Sequence, residues 1–409
     1  MTQTAPDRVA ALDLIRGIAV LGILAVNISG FAGPTAATLS PHVPMPGSFA
    51  DQAVYAGTMV LFEGKMRALF TLLFGASMLL FVERMDAAGR DGDLLQLRRL
   101  GWLLLFGYLH FLLFWWGDIL FAYALVGIVA LLMRELPAKV LLAGALLIFA
   151  GWHLGGAAMT FPEVRAEEQV GLNRAEPSEL QAYDVTQREV TAGAEQELDE
   201  YRAGFVEQIR AKLSNRTFQP LMTAVANIAE TLPLMLIGMV LYRSGFFTGA
   251  WPRRRLRRIA AISIGSGFAF TLLALVWLWQ RHFPYQAMTA AITYWLAIPH
   301  LLMAVGYAAL LVLATPRLAA TAIGRSLTAT GRMAFSNYIG TTIVMTAIFY
   351  GWGLGLVGTV ERVEQMGFVL LGWALMLGWS PLWLARFRQG PLEWLWRSLT
   401  ERRPIPFLR

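Results

Sequence analysis

Apolar residues in this chain fall into long blocks separated by short polar stretches, and a block of about 17 to 25 residues is the length that crosses a lipid bilayer as a helix. Ten such blocks can be read, near residues 14–32, 53–82, 100–116, 119–133, 138–157, 221–242, 259–279, 290–314, 333–352 and 364–386. The pattern predicts an all-α polytopic membrane protein of about ten transmembrane helices, with a first membrane half in 1–157 and a second in 221–409. Five spans in the second half would invert it relative to the first, as in inverted-repeat transporters, but no internal sequence match accompanies the idea. Between the halves, 158–220 is polar, with 12 acidic and 7 basic side chains in 158–219. There Pro177 and Ser178 mark a helix start, and Leu198, Tyr201, Phe205, Ile209 and Leu213 recur at helical spacing. The segment reads as one or two amphipathic helices lying on the membrane surface or covering the bundle.

Polar groups that interrupt the apolar blocks are the first candidates for chemistry, because an acid or base at the centre of a membrane helix costs roughly 2.5 to 3.5 kcal/mol on insertion scales and faces a bundle interior or a cavity. The first block carries Asp13 and Arg16, three apart on one helix face, and Asn27 near its far end. The second contains Glu63, Lys65 and Arg67, which implies a broken helix or a deep cavity; Glu63 and Arg67, four apart, can pair on one face. The hairpin 101–131 holds His110 and Asp118 around Trp115 and Trp116. Two readings of it stand side by side: Asp118 caps the helix after Gly117 while His110 bonds a neighbouring helix, or the two form a functional pair. Further on, Glu230 is the acid of block six, and His300 follows Pro299 in block eight, where proline frees a backbone carbonyl. Arg332, Ser336 and Asn337 enter block nine.

Composition narrows the class. The 409 residues are 56% hydrophobic and 15% charged, a membrane-protein balance rather than that of several soluble domains. Without cysteine, disulfides, zinc-thiolate sites and thiol nucleophiles are excluded. The five histidines are scattered, so no metal site is expected, and Walker, dinucleotide-binding, zinc-helix and nucleophile-elbow motifs are missing. The net charge of +7 points to topology rather than to nucleic acid, since alternating sides from the N-terminus gathers 23 of the 34 Lys and Arg on one face. By the positive-inside rule both termini, including the basic tail, are then cytoplasmic, and 158–220 lies outside. Arg8 before the first block resembles the start of a secretory signal, but Asp13 and Arg16 favour a retained first span.

Two loops add candidates. Residues 33–50 hold four prolines, two glycines, no charge and His42, a possible base if it faces a cavity. The stretch 251–258, WPRRRLRR, reads as a topology anchor on anionic headgroups or as a site for a phosphate-rich ligand such as coenzyme A.

Several blocks carry a resemblance over nearly the whole chain. LDLIRGIAVLGILAVNISGF at 12–31, EGKMRALFTLLFGA at 63–76, GYLHFLLFWWGDILFAYALVG at 107–127, LMLIGMVLYRSGFF at 234–247, GRMAFSNYIG at 331–340 and RQGPLEWLWRSLT at 388–400 resemble the bacterial YeiB-like family, also called domain of unknown function 418. More distantly, Leu12, Asp13, Arg16 and Gly17 followed by Val26 and Asn27 resemble the first span of the transmembrane acyltransferases that include heparan-alpha-glucosaminide N-acetyltransferase. That resemblance implies an acyl group taken from cytosolic acetyl-coenzyme A and delivered across the membrane by an outer-loop His with the span-end Asn beside it. The chain departs from it in two respects: His42 lies 15 residues after Asn27, and prolines replace the glycine-rich approach.

The expectation is therefore an acyltransferase of the bacterial inner membrane, using acyl-coenzyme A as donor substrate and no metal. His110 or His42 is the base, Asp118 orients His110, and Asn27 donates to the oxyanion. Arg16, Arg332 or the basic loop holds phosphates, with Asp13, Glu63, Lys65, Arg67, Glu230, His300 and Asn337 lining the cavity. The alternative is a transporter or exporter of a small anionic or lipidic compound that uses the same buried charges. Membrane lipids and a small or lipid-linked substrate are the expected partners, with self-association open and nucleic acid excluded.

Overall fold

Backbone polar groups inside a bilayer must be satisfied within their own segment, so long apolar blocks are expected to coil. The computed structural model describes residues 10–409, and helices occupy nearly all of them; Arg8 lies outside the described residues. Among those residues the β-pairing is one isolated bridge, Phe387 to Leu408. This is an all-α membrane protein.

The first half runs through α1 (Ala10–Ala32), α2 (Phe49–Leu61), α3 (Lys65–Ala87), α4 (Gly92–Leu113), α5 (Leu120–Leu132) and α6 (Ala138–Gly171). The insertion forms α7 (Pro177–Arg202) and α8 (Phe205–Asn215). The second half holds α9 (Gln219–Ala226), α10 (Ile228–Arg243), α11 (Arg253–Gln280), α12 (Tyr285–Ala290), α13 (Ala297–Leu318), α14 (Ala322–Arg332), α15 (Ala334–Phe349), α16 (Arg362–Arg386) and α17 (Pro391–Glu401). A helix or helix pair stands at each predicted block. By length and composition six segments can cross a membrane, α2 with α3 counting as one, and a seventh if α9 and α10, bent by 64°, form one span. The other blocks fall short for physical reasons: α5 has only 13 residues, about 20 Å of helix, and α4 begins among the charges of Asp91, Asp93, Arg98 and Arg99.

Burial separates axis from periphery. Of the most apolar window in α1, 72% is buried, against 22% in α6 and in α11. Helices α3, α13, α14, α15 and α16 pack around α1, whereas α6 and α11 turn Leu146, Leu147, Leu154, Phe270 and Leu273 outward to lipid. Close approach to α1 depends on glycine: a Cβ on Gly331 of α14 would stand 1.8 Å from Asp13 O.

Loops collect at two ends. At one, Arg90 pairs with Glu401, Arg134 with Asp93 and Tyr242 with Glu83, and Trp396 donates to Arg99 O; this is the basic end. At the other, Thr35 bonds Glu197, Gly351 N donates to Tyr201 O, and Lys212 bonds Phe111 O; this is the insertion end.

Three details differ from the sequence reading. The helix of the fifth block does not stop at 157; α6, 34 residues in all, runs on to Gly171, carrying the chain well past the apolar block. Of the two placements open to the insertion, covering the bundle fits its contacts, but the apolar stripe ends early: Leu198 and Tyr201 are buried, Tyr201 stacks on Tyr350 at 4.8 Å, and Leu213 at the end of the predicted stripe is exposed. The stripe fails there because the helix breaks at Ala203–Gly204 and α8 takes a new direction. Thirdly, Pro299 does not interrupt a helix. A π-helical turn at Ala291–Trp295 ends the preceding segment, and Pro299 falls in the first turn of α13, where its missing N–H has no intrahelical partner to lose.

Candidate functional site

The last turn of α4 and the start of α5 are joined by a short bent loop, and across it His110 Nδ1 lies 2.8 Å from Asp118 Oδ1, with side chains 1% and 2% exposed. The same carboxylate accepts from Phe121 N through Oδ2 at 2.8 Å, capping α5. Asp118 therefore caps α5 and bonds His110 with one carboxylate. An ionised carboxylate only accepts, so Nδ1 is the donor in this hydrogen bond; Nε2 is buried without a partner among the described residues. Above it the turn is pinned by Trp115, whose indole donates to Gly30 O at 3.1 Å and packs 4.2 Å from Phe31.

Below the dyad lies a cavity of about 250 Å³ reaching toward the basic end, just under the usual range for small-molecule pockets, about 300–1,000 Å³. Its wall holds four arginines, Arg16, Arg99, Arg332 and Arg397, with Phe74, Tyr123, Phe335 and Trp396 between them. Arg16 is aimed by Asp13 at 3.0 Å and Ser77 Oγ at 2.7 Å. Arg99 lies between the rings of Phe81 and Trp396, 4.1 and 4.3 Å from their centroids. Arg332 donates to Arg388 O and Arg397 to Gln389 Oε1. Glu393 is the acid on this wall, and it is already engaged: it accepts from Phe335 N at 2.9 Å, Ser336 N at 3.2 Å and Ser336 Oγ at 2.5 Å, so that the tail helix α17 caps α15. Burial pushes its carboxyl up, opposed by the Ser336 hydrogen bonds. At the deep end stands Tyr338, its ring 5.1 Å from His110 and its hydroxyl donating to Gly117 O at 3.3 Å. His110 does not itself line the cavity; Tyr338 is the side chain between. Along α4, Arg99 and His110 are separated by about 16 Å of helix rise, a span for an extended ligand rather than a compact anion.

A second group sits where α2 breaks into α3. Gly64 has φ +68°, and a Cβ there would lie 1.9 Å from His300 Nδ1, so a glycine is required both for the turn and for the imidazole against it. Lys65, fully buried, donates to Met59 O at 2.6 Å at the end of α2. Arg67 pairs with Glu230 at 2.8 Å instead of with Glu63, whose carboxylate accepts from Gly64 N at 3.1 Å. The break explains the exchange: without continuous helix from 63 to 67 the four-residue spacing no longer stacks the two side chains. Lys65, Arg67 and His153 are all within electrostatic reach of His300. Glu63, Lys65 and Arg67 of the α2–α3 break thus gather with Glu230 and His300, which are remote in sequence, around a buried Lys65 and a partly exposed Arg67.

The other candidates lie elsewhere. His42 borders a cavity of about 840 Å³ at the insertion end, with His282 and Tyr183 also on its wall. It accepts from Gly47 N at 3.3 Å, and burial, then the charges of His282 and Arg362, push its pKa down. Asn27 is half-buried on α1 and lines neither this cavity nor the arginine cavity. His42, Asn27 and His110 are not brought to one point. Asn337 is absorbed by packing: its amide donates to Thr330 O and Ser380 Oγ, each at 3.0 Å, and accepts from Trp379 Nε1 at 2.7 Å. Among the described residues no three His, Cys, Asp or Glu are grouped to hold a metal ion.

Relatives match this sequence over nearly its full length. The chain is 33% identical over 407 residues to the uncharacterized protein YeiB of Escherichia coli (strain K12), covering 98% of each. It belongs to the YeiB-like DUF418 family. The family model, described as a protein of unknown function (DUF418), matches residues 241–403, the part that supplies Arg332, Tyr338, Glu393 and Arg397. Similarity extends to the uncharacterized protein YxaH of Bacillus subtilis (strain 168), 30% identical over 96% of this chain and 94% of the relative. An uncharacterized 39.9 kDa protein in the amylase 3' region of Bacillus acidopullulyticus is 25% identical over 98% and 96%. No solved structure matches.

For this family member, sequence reasoning missed residues whose partners are remote. Arg99 and Arg397 looked like loop and tail charges, and Tyr338 like an ordinary apolar-block aromatic; only folding brings them to one wall. Lys212 of the insertion is another. Its Nζ reaches Phe111 O at 2.9 Å and Leu112 O at 3.5 Å, the free carbonyls at the end of α4 beside the dyad, a helix C-terminus that favours a cation. Burial lowers its pKa to about 8, opposed by Glu200. Between about pH 8 and the ordinary 10.5 the unfolded chain binds the proton and the native one does not, so stability should rise with pH through that window. The expected difference from Lys212→Met is on the order of 2 kcal/mol across it, read from denaturation midpoints at pH 7 and pH 10; parallel pH curves for the two proteins would refute the assignment.

Proposed function

We propose that this protein is a membrane acyltransferase that takes an acyl group from acyl-coenzyme A at the basic end and delivers it to a hydroxyl or amine acceptor near the insertion end. The observation that carries the reading is the His110–Asp118 dyad directly behind Tyr338, which closes the deep end of a cavity walled by four arginines. The phosphates of the donor would sit among Arg16, Arg99, Arg332 and Arg397, and the extended arm would run past Tyr123 toward Tyr338. His110 Nε2 would take the acceptor proton as the acceptor attacks the thioester carbon, and Asp118 would stabilise the imidazolium that forms. Cleavage of the carbon–sulfur bond then releases the coenzyme A thiolate, which is reprotonated, toward the basic end. Tyr338 must swing aside, or carry the proton itself, for the substrate to meet His110.

This reading takes the basic end as cytoplasmic, all ten helical blocks as spans, the membrane as the bacterial inner membrane, and the insertion as its outer cap. The clustering of loop arginines at one end supports that orientation. A thermal-shift titration with acetyl-coenzyme A tests the donor site, because a ligand that binds only the folded state raises apparent stability by mass action. A saturable rise is expected, weakened about tenfold or more in Arg99→Ala, since an uncompensated phosphate contact in a low-dielectric wall costs at least 1.4 kcal/mol or so. No saturable response to any acyl-coenzyme A would refute it. One observation favours a transporter instead: the charged cluster at the α2–α3 break resembles the discontinuous-helix sites of carriers. In that case His110→Ala would alter affinity or coupling and leave turnover standing.

A further inference from the structure

The site just described leaves the most basic stretch of the chain unused. Arg253, Arg254, Arg255, Arg257 and Arg258 stand exposed in the first two turns of α11. Among the described residues no carboxylate pairs with any of them. They also gather at a helix N-terminus, where the backbone dipole is positive and further positive charge is unfavourable. No described residue neutralises them, which leaves their exposed guanidinium groups open to an anionic ligand.

A path of aromatic contacts links the arginines to an apolar groove. Arg255 lies 3.6 Å over the ring of Trp251. Trp251 is fixed by a bond from its indole to Ser244 O at 2.8 Å and packs on Phe246 at 5.2 Å, and Phe246 packs on Phe247 at 5.0 Å. Phe247 lines a cavity of about 630 Å³ with Ala11, Leu80, Val312 and Pro316. The charged residues on that wall are Glu83, which accepts from Tyr242 at 2.9 Å, and Arg84; most of the remaining lining is apolar. A ligand for both parts needs an anionic head and a hydrocarbon body.

We propose that this is a binding site for an anionic phospholipid of the surrounding bilayer, its phosphodiester on the α11 arginines and an acyl chain in the groove between α1, α3 and α13. Charge complementarity selects the occupant. A zwitterionic lipid brings its own cation and cannot neutralise five arginines, and a free phosphate has no use for the apolar cavity. The site is independent of the acyltransferase reading.

Detergent-purified full-length protein, stripped of lipid, would be titrated with phosphatidylglycerol, phosphatidylcholine and inorganic phosphate, following thermal stability and the bound lipid by native mass spectrometry. A saturable stabilisation by phosphatidylglycerol alone is expected. Replacing Arg254, Arg255, Arg257 and Arg258 by Gln should lower that affinity by about tenfold or more. Ala87→Trp, which narrows the mouth of the groove and leaves the arginines intact, should also lower it. Equal binding of phosphatidylcholine, an equal response to inorganic phosphate, or full affinity in Ala87→Trp would each overturn the proposal. If the four-arginine variant does not fold, Ala87→Trp decides alone.

Discussion

His110→Ala should reduce acyl transfer by about two to four orders of magnitude, the usual contribution of a positioned general base, while leaving acetyl-coenzyme A binding within about twofold. The separation of the two effects follows from the geometry. The four arginines lie at one end of the cavity and His110 lies beyond Tyr338 at the other, so the imidazole makes no contact with the region that would hold phosphate. Asp118→Asn should lower the rate by a smaller factor and also destabilise the hairpin, because Asp118 holds the imidazole tautomer and caps α5 with the same carboxylate. Release of coenzyme A thiol by the purified protein, with extracted membrane lipids and small hydroxyl or amine compounds as acceptors, gives the measurement, and a thiol reagent reads it cleanly because the chain has no cysteine. Unchanged thiol release in His110→Ala would remove the dyad from the mechanism. Lost binding in that variant would mean instead that the site had collapsed.

The largest effect on stability is expected at Arg362, a residue outside every site considered above. Its buried guanidinium donates to Ser29 Oγ at 2.7 Å, Ala37 O at 2.8 Å and Ser40 O at 3.0 Å, and its charge lies 4.8 Å over Tyr55. One side chain at the start of α16 thus fastens the end of α1 and the proline-rich loop that follows. Replacement by Met keeps most of the volume and strands three buried acceptors. A hydrogen bond to a charged donor contributes about 1.5–3 kcal/mol, and a stranded buried group costs about 1–3 kcal/mol. The loss should therefore be on the order of 3–5 kcal/mol, the range found when one partner of a buried charged pair is removed. Loss of the guanidinium should also loosen the 33–50 loop that carries His42. Thermal denaturation of Arg362→Met in detergent, with protease cleavage in that loop, checks both; a midpoint within a degree or two of wild type would show the network to be dispensable.

How much of this was readable along the chain depends on the range of the interaction. Asp13 and Arg16 pair at 3.0 Å as their three-residue spacing requires, since both sit on one unbroken helix. Glu63 and Arg67 obeyed the same kind of rule on paper and not in space, because the Gly64 break lies between them. His110 and Asp118 were recognisable as polar residues in an apolar hairpin, and a turn of a few residues is enough to bring the last turn of one helix against the start of the next. Arg99, Arg397 and Tyr338 had no such signal. Charges in a loop and a tail read as topology markers, and nothing local says that α17 will fold back, insert Glu393 into the end of α15 and close a cavity with its arginine.

The sequence by itself determined the all-α membrane class, the places of the helices, the family and the position of the polar insertion. Each of these follows from local quantities: the length of an apolar run, the residues that start a helix, and motifs held in consecutive positions. Only the tertiary structure decided which buried charges meet. It joined Arg67 to Glu230, set His300 against Gly64, gathered four arginines from α1, α4, α14 and α17 on one wall, and seated Lys212 on the end of α4. Those contacts depend on how helices rotate and cross, which is set by the packing of small residues such as Gly331 against α1. A rotation by one residue, about 100°, would turn any of these side chains toward lipid while leaving the hydrophobic pattern of the chain almost unchanged.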